Sequence, residues 1–428
     1  MSGFSFHRSR VGRGGLGTGR ALRSPNVQTR RGPLSLTKVR GRPCPAAGAK
    51  LDMRPSAGRR PRGTTTPGRR RAMPASPMKI PFLLLALPLA ASCDGGGGTV
   101  PDPFAERQIP AELAADVSDA VLAANRFTVD LFRELAAADS GGNLFASPFS
   151  VSTALSMTYA GAAGVTQAEM AGVLRYAETQ ENIHPSYGAL IESLDRGSAL
   201  GGYRLCVANR LWGQDGYAFL EPFLGVCADE YKAGLGTLDF AADPDGSRRT
   251  INLWVEEKTE NRIRDLLPAG SVTSLTRLVL TNAIYFKGRW ENRFDKNATV
   301  TSTFLRDGTD AIHVPMMHQE AAFGYARADG VSLLEMDYEG GDLSMLVVLP
   351  DAADGLAEMV ASLTDERLAA WIAALGKTKV IVDLPRFGFT SSFSLNDVLG
   401  GMGMPSAFDP GLADFSGMTG TRELYIQA

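Results

Sequence analysis

The sequence predicts an α+β fold with large mixed sheets. Two observations predict it. Helical periodicity dominates the first half of the folding region, and strand signals dominate from Thr276 to Pro350. That is the order of a segregated α+β arrangement. The second observation is the stretch Leu278–Trp290, LVLTNAIYFKGRW. It is apolar on both faces, as a strand covered on both sides must be. Inside it lies an amide, Asn282. A buried amide left without a partner costs about 1–3 kcal/mol, so some polar group has to meet Asn282.

The elements follow in order. Ala111–Ala138 repeats apolar residues at helical spacing, among them Val117, Val121, Leu131 and Leu135, and Asp139-Ser-Gly-Gly ends it. Pro148 opens a second helix, at the position where proline is tolerated best, with Ser147 as its natural N-cap. Thr166 and Glu169 read as a capping box that starts a third helix reaching about Tyr176. Tyr203–Trp212 reads as a strand and Phe219–Tyr231 as a helix. Asp243–Arg262 is a longer helix after Asp-Pro-Asp-Gly turn chemistry. After the strand-rich region, Glu358–Leu375 reads as one helix, Lys379–Phe389 as a strand and Leu395–Leu399 as a short helix. No internal repeat is visible. About 325 residues, Phe104–Ala428, behave as one domain.

Composition divides the chain. Of its 44 basic residues, 18 fall in Met1–Met73, which holds a single acid, Asp52. The remainder carries 26 basic and 45 acidic residues, a formal charge of −19. Residues 1–72 are rich in Arg, Gly, Pro and Ser without apolar periodicity, a composition expected to stay disordered. Such a head reads either as a basic arm for nucleic acid or an anionic surface or as upstream sequence translated from a start placed too early. The second reading is preferred, because the head lacks interleaved aromatics and precedes a secretion-like signal.

That signal occupies 73–93. Arg69–Arg71 and Lys79 supply positive charge, Ile80–Leu89 is an apolar run of ten, and Ala90, Ala91 and Ser92 are small. The run is too short for a permanent membrane span. Cys93 follows at once, an arrangement similar to a bacterial lipoprotein signal in which that cysteine is acylated. Leu89, however, sits one place farther from it than that pattern has it. Ordinary signal cleavage is the alternative. Residues 94–103, Gly-rich, form a linker. The expected location is secreted or extracellular, with the anchored form a lipoprotein of the bacterial envelope.

Nothing in the body supports an enzyme. Its histidines are His184, His313 and His318, and it has no GxSxG, HExxH or Gly-rich phosphate loop. Glu339 and Asp342 read as solvated turn charges. No Cys or His pair has metal-ligand spacing, and no cofactor is expected. Cys206 and Cys227 read as two separate buried thiols, with a disulfide as the alternative.

Six segments, in order, resemble the serpin family. They are Asn143–Met157 (NLFASPFSVSTALSM), Asn252–Ile263 (NLWVEEKTENRI), Leu278–Trp290, Leu343–Pro350 (LSMLVVLP), Val382–Phe387 (VDLPRF) and Ala413–Thr419 (ADFSGMT). The resemblance implies large mixed sheets with about eight or nine helices. It also implies inhibition of serine proteases, with cysteine proteases as a second class, by a monomer that binds no nucleic acid. A bait loop is cut, an acyl-enzyme forms, and the loop inserts as a new strand. On this resemblance Ser147, Ser150 and Asn282 form a polar cluster where the sheet parts. Trp290 lies where loop entry begins, and Arg386 faces a hinge carboxylate. Without it, the same residues read as helix cap, helix start, core amide, packing aromatic and exposed cation.

The sequence ends LYIQA at Ala428. In serpins the matching segment runs on into a central strand, the hinge, the bait loop and the last strands. The expectation is therefore a chain truncated before its reactive loop, with no scissile bond of its own. Two further readings stay open: a non-inhibitory serpin-fold binding protein and an inactive remnant. A lipid-anchored hydrolase is a distant fourth.

Overall fold

The computed structural model describes residues 2–8, 52–55, 111–138, 142–199, 203–306, 310–352 and 354–427. The signal-like segment 73–93 with Cys93, and the linker 94–103, lie outside the described residues. Ten α-helices and eleven strands are present among the described residues, against the eight or nine helices expected.

The first layer is helical. It comprises α1 (Ala111–Ala138), α2 (Pro148–Tyr159), α3 (Gly164–Val173), α4 (Gln180–Ala199) and α5 (Glu221–Asp229). The first of these has the expected boundaries. The fourth was not read from the sequence. It carries Pro185 in its second turn and many polar residues, so neither its apolar stripe nor its continuity stands out.

Two sheets follow. The first has the order β11 (Leu424–Gln427), β1 (Ser2–Arg8), β5 (Thr276–Gly288), β3 (Tyr203–Gln214), β4 (Leu235–Leu238). The second has the order β2 (Asp52–Pro55), β10 (Gly376–Pro385), β7 (Asp310–Ala328), β8 (Val331–Asp337), β9 (Ser344–Pro350), with β6 (Val300–Arg306) on the other end of β7. The long β7 thus serves three neighbours. Its first part pairs with β6, its middle with β10 and its last residues with β8.

Two pieces of the basic head, whose other residues lie outside the described ones, are strands. β1 pairs antiparallel with β5 on one side, Ser2 opposite Asn282, and with β11 on the other, Ser5 opposite Gln427. β2 pairs antiparallel with β10. Ladder pairing needs only backbone N–H and C=O groups, so low apolar content did not rule it out.

The central strand β5 is covered on both faces, as its sequence requires. Leu278 and Leu280 enter the large core with α2, Phe127 of α1 and Ile426 of β11. Val279 and Ala283 face the other way, towards α6 (Pro244–Lys258), through Ile251 and Val255. Burying each such side chain contributes about 1.5–3 kcal/mol. A third core joins α1 to the second sheet. Val129 and Phe132 pack with Leu333, Leu346 and Trp371.

Three local expectations are corrected. Glu358–Leu375 is two helices, α7 (Leu356–Ala361) and α8 (Asp365–Ala373). Thr364 breaks them and caps the second by accepting from Arg367 N at 3.1 Å. Thr166 and Glu169 do not form a capping box, because the N-cap of α3 is Ala163. Instead they hold a distant segment: Thr166 Oγ1 accepts from Asp414 N at 3.0 Å, and Glu169 Oε2 from Ser406 N at 2.9 Å. Ser147 occupies the N-cap of α2 but makes no side-chain cap bond. Beyond α8 come α9 (Asn396–Met402) and α10 (Ser416–Thr419). Cys206 is half-buried and Cys227 buried, both as free thiols.

Candidate functional site

The helix α2 is buried along almost its whole length, with serines and threonines among its inward residues. Most of these hydroxyls bond back to the helix: Thr153 to Phe149 O at 2.7 Å, Ser156 to Ser152 O at 2.7 Å, Thr158 to Ala154 O at 3.0 Å. Ser150 does something else. Its hydroxyl donates to Oδ1 of Asn282, on the face of β5 that meets α2.

Asn282 is fully buried and satisfied in both directions. While Oδ1 accepts from Ser150, Nδ2 donates to Oδ1 of Asn209 at 2.6 Å. Asn209 lies directly across the ladder on β3. Its own Nδ2 donates to the backbone carbonyl of Tyr231 at 2.9 Å. A continuous polar chain therefore runs from α2 through two adjacent strands to the segment after α5. On the opposite face Trp212 Nε1 donates to Thr281 Oγ1 at 3.1 Å, and Thr281 Oγ1 donates to Arg210 O at 3.2 Å.

Of the residues expected to form the cluster, Ser150 and Asn282 meet and Ser147 does not join them. Its carbonyl accepts from Val151 N at 3.1 Å, within the start of the helix. Asn209 was missed. It sits in VANRLW, where an amide beside an arginine looks like a solvated position. The one signal in the sequence was its place inside the strand read over Tyr203–Trp212, which did not say which strand it would face.

Trp290 marks the end of β5. Its ring stacks on Tyr338 with centroids 4.4 Å apart and planes 13° from parallel, and the two residues form an isolated antiparallel bridge. Glu339 closes this corner. It accepts from Arg289 Nε at 2.7 Å and also pairs with Arg293. The Arg293 and Arg289 guanidiniums hold its carboxyl below the usual range. Glu339 is thus a clasp between two segments rather than a solvated turn charge. Arg386 is exposed and lies in neither group. Its backbone N donates to Pro315 O at 2.9 Å, and no carboxylate pairs its side chain among the described residues.

Among the described residues no cluster of three or more His, Cys, Asp or Glu is placed to hold a metal ion. No helix there is long and apolar enough to cross a membrane.

The profile of the serpin family, serine protease inhibitors, matches residues 122–428. The chain belongs to the serpin family. It is 41% identical over 309 residues to the leukocyte elastase inhibitor of Bos taurus, covering 70% of this chain and 81% of that protein. The leukocyte elastase inhibitor of Homo sapiens is 38% identical with the same coverage. Among solved structures, emu (Dromaius novaehollandiae) ovalbumin superposes with a TM-score of 0.67 at 30% identity, covering 70% of this chain and 81% of that one. A cleaved Serpin 42Da superposes with a TM-score of 0.66 at 32% identity, covering 70% and 80%. In this serpin the Ser150–Asn282–Asn209 chain ties α2 to the adjacent strands β5 and β3.

Proposed function

We propose that this serpin inhibits serine endopeptidases by accepting a cut bait loop as an extra strand beside β5. The observation that carries the reading is family membership at 38–41% identity to two proteins named leukocyte elastase inhibitor. The geometry around β5 supports it. The place next to β5 takes a strand from far away in the sequence, as Ser2–Arg8 does, antiparallel to both neighbours. The amides that would have to shift as strands separate, Asn282 and Asn209, are tied to their surroundings by a few short hydrogen bonds. Such bonds make separation a discrete event with a barrier, and a metastable inhibitor needs a barrier.

In the proposed reaction the protease serine Oγ bonds to the scissile carbonyl carbon. The peptide C–N bond breaks, and the new amine leaves with the proton that the protease's base took from the serine. The inhibitor contributes no catalytic group. Its part is to insert the freed strand before water deacylates the enzyme. Cys93 and the preceding signal support an extracellular or lipid-anchored site of action for this activity. The target protease is set by the bait sequence.

The test uses the native protein from its source. Its intact mass is measured first. It is then incubated with elastase-, trypsin-, chymotrypsin- and subtilisin-like proteases, and complexes that survive denaturing electrophoresis are scored. A covalent complex with at least one protease is expected. A native product whose mass ends at Ala428 and which forms no complex overturns the inhibitory reading in favour of a non-inhibitory serpin.

A further inference from the structure

The polar chain that begins at Ser150 does not stop at the Tyr231 carbonyl. The Tyr231 hydroxyl lies 2.7 Å from Nδ1 of His184, on α4. His184 is 3% exposed. Its ring lies between those of Tyr159 and Tyr231, with centroids 5.9 and 5.7 Å away. Nε2 is buried and meets no hydrogen-bond partner among the described residues. The tautomer that wastes least is therefore Nδ1–H donating to Tyr231 Oη, with the bare Nε2 lone pair facing the wall. Adding a proton creates an N–H with no acceptor and a charge with no counter-ion, the costliest kind of buried group.

The surroundings offer that charge nothing. Tyr159 at the end of α2, Tyr176 after α3, Tyr187 of α4 itself and Tyr231 all have hydroxyls that burial keeps protonated. Cys227 of α5 is a buried thiol pushed up to about 12. α1 meets α4 with apolar residues, among them Phe127 and Leu131. β3 brings the neutral Asn209. Glu181 and Glu192 of α4 are exposed. Glu230 reaches Gly188, one turn along α4. Burial and the neighbouring Asp229 raise its carboxyl, which favours its neutral form.

We propose that His184 is an acid-sensitive latch on the central strand. The neutral imidazole packs against Tyr231, the Tyr231 carbonyl holds Asn209, and Asn209 holds Asn282, so a buried imidazolium with no counter-ion favours opening of this packing to water and thereby loosens β5 from its neighbours. The inference rests on the strand-insertion reading for its purpose, but the linkage itself stands on the contacts. Acid would make this serpin quicker to accept a strand, and quicker to exhaust itself without a target.

The experiment follows amide exchange of Thr281–Ala283 in the full chain from pH 7.5 to 4.5, corrected for the intrinsic pH dependence of exchange. Wild type is compared with His184→Gln and Tyr231→Phe. In wild type the opening equilibrium is expected to rise at least about tenfold between pH 6.5 and 4.5. In His184→Gln the curve should flatten, and Tyr231→Phe should raise opening at all pH values. An equally steep curve in His184→Gln overturns the proposal. Should that variant fail to fold, a wild-type NMR titration decides. The His184 ring and the Asn209 side-chain amide are expected to shift together, and a ring that titrates while Asn209 stays still overturns the latch. Neither readout involves a protease, so failure of the inhibitor reading is recognised separately, by the absence of covalent complexes.

Discussion

Replacing Asn282 with alanine would remove two buried hydrogen bonds at once, the one from the Ser150 hydroxyl and the one to Oδ1 of Asn209. Each is buried, so Asn282→Ala is expected to lower unfolding stability by about 1–3 kcal/mol, read from urea midpoints at constant m-value. Ser147→Ala should change it by less than about 0.5 kcal/mol, because Ser147 makes no side-chain cap bond. The pair tests whether the cluster is Ser150–Asn282–Asn209 rather than the trio expected from sequence. Asn282 was legible because an amide inside an apolar run has one physical reading. Asn209 was not, because its flanking arginine made exposure equally plausible. His184 gives a signed pH prediction. Burial moves its ring from the ordinary 6.5 down to about 4, so on acidification the unfolded chain takes up the proton first. Stability from this residue is complete above about pH 6.5. It drains as pH falls towards about 4, by on the order of 3 kcal/mol. Urea melts at pH 7 and 4.5, compared with those of His184→Gln, isolate that share.

Among the elements, caps and close approaches carry the sharpest expectations. Asp243 caps α6 by accepting from Gly246 N at 2.9 Å, and Asp243→Ala should cost about 1 kcal/mol, measured by thermal unfolding. The turn after α2 touches the loop of α10: Gly417 N donates to Gly161 O at 3.1 Å. A methyl on Gly161 would lie 2.1 Å from Cγ of the buried Met418. Gly161→Ala is expected to destabilise by about 1–3 kcal/mol through overpacking, read from urea midpoints. Helix ends were legible where one side chain caps locally, as Asp243 does. They were misread where the apparent cap serves a remote segment, as Thr166 does for Asp414. The single helix expected over Glu358–Leu375 failed for a related reason. Thr364 in the middle of an otherwise apolar-periodic stretch is a cap, and the period alone does not show it. α4 escaped notice because Pro185 and its polar residues dilute the stripe that Ile183, Tyr187, Leu190 and Ile191 send into the core.

At the scale of the whole molecule, the fold was legible because it hangs on one strand whose sequence is apolar on both faces. α2 and α6 cover β5, and the remaining cores attach through α1 and the second sheet. The strands drawn from the basic head were not legible, since ladder bonds are made by backbone groups that leave no mark on composition. The buried thiol of Cys227 turns this architecture into something that can be timed. It is wholly enclosed beside Tyr231, and burial pushes it up to about 12. As a neutral thiol it is inert to alkylating reagents, while the half-buried Cys206 on β3 stays partly within reach. Each transient parting of α5 from the helical layer would expose Cys227 to reagent. Its labelling rate is therefore a clock for how often the molecule breathes, kept by an atom the chain already carries and needing no protease.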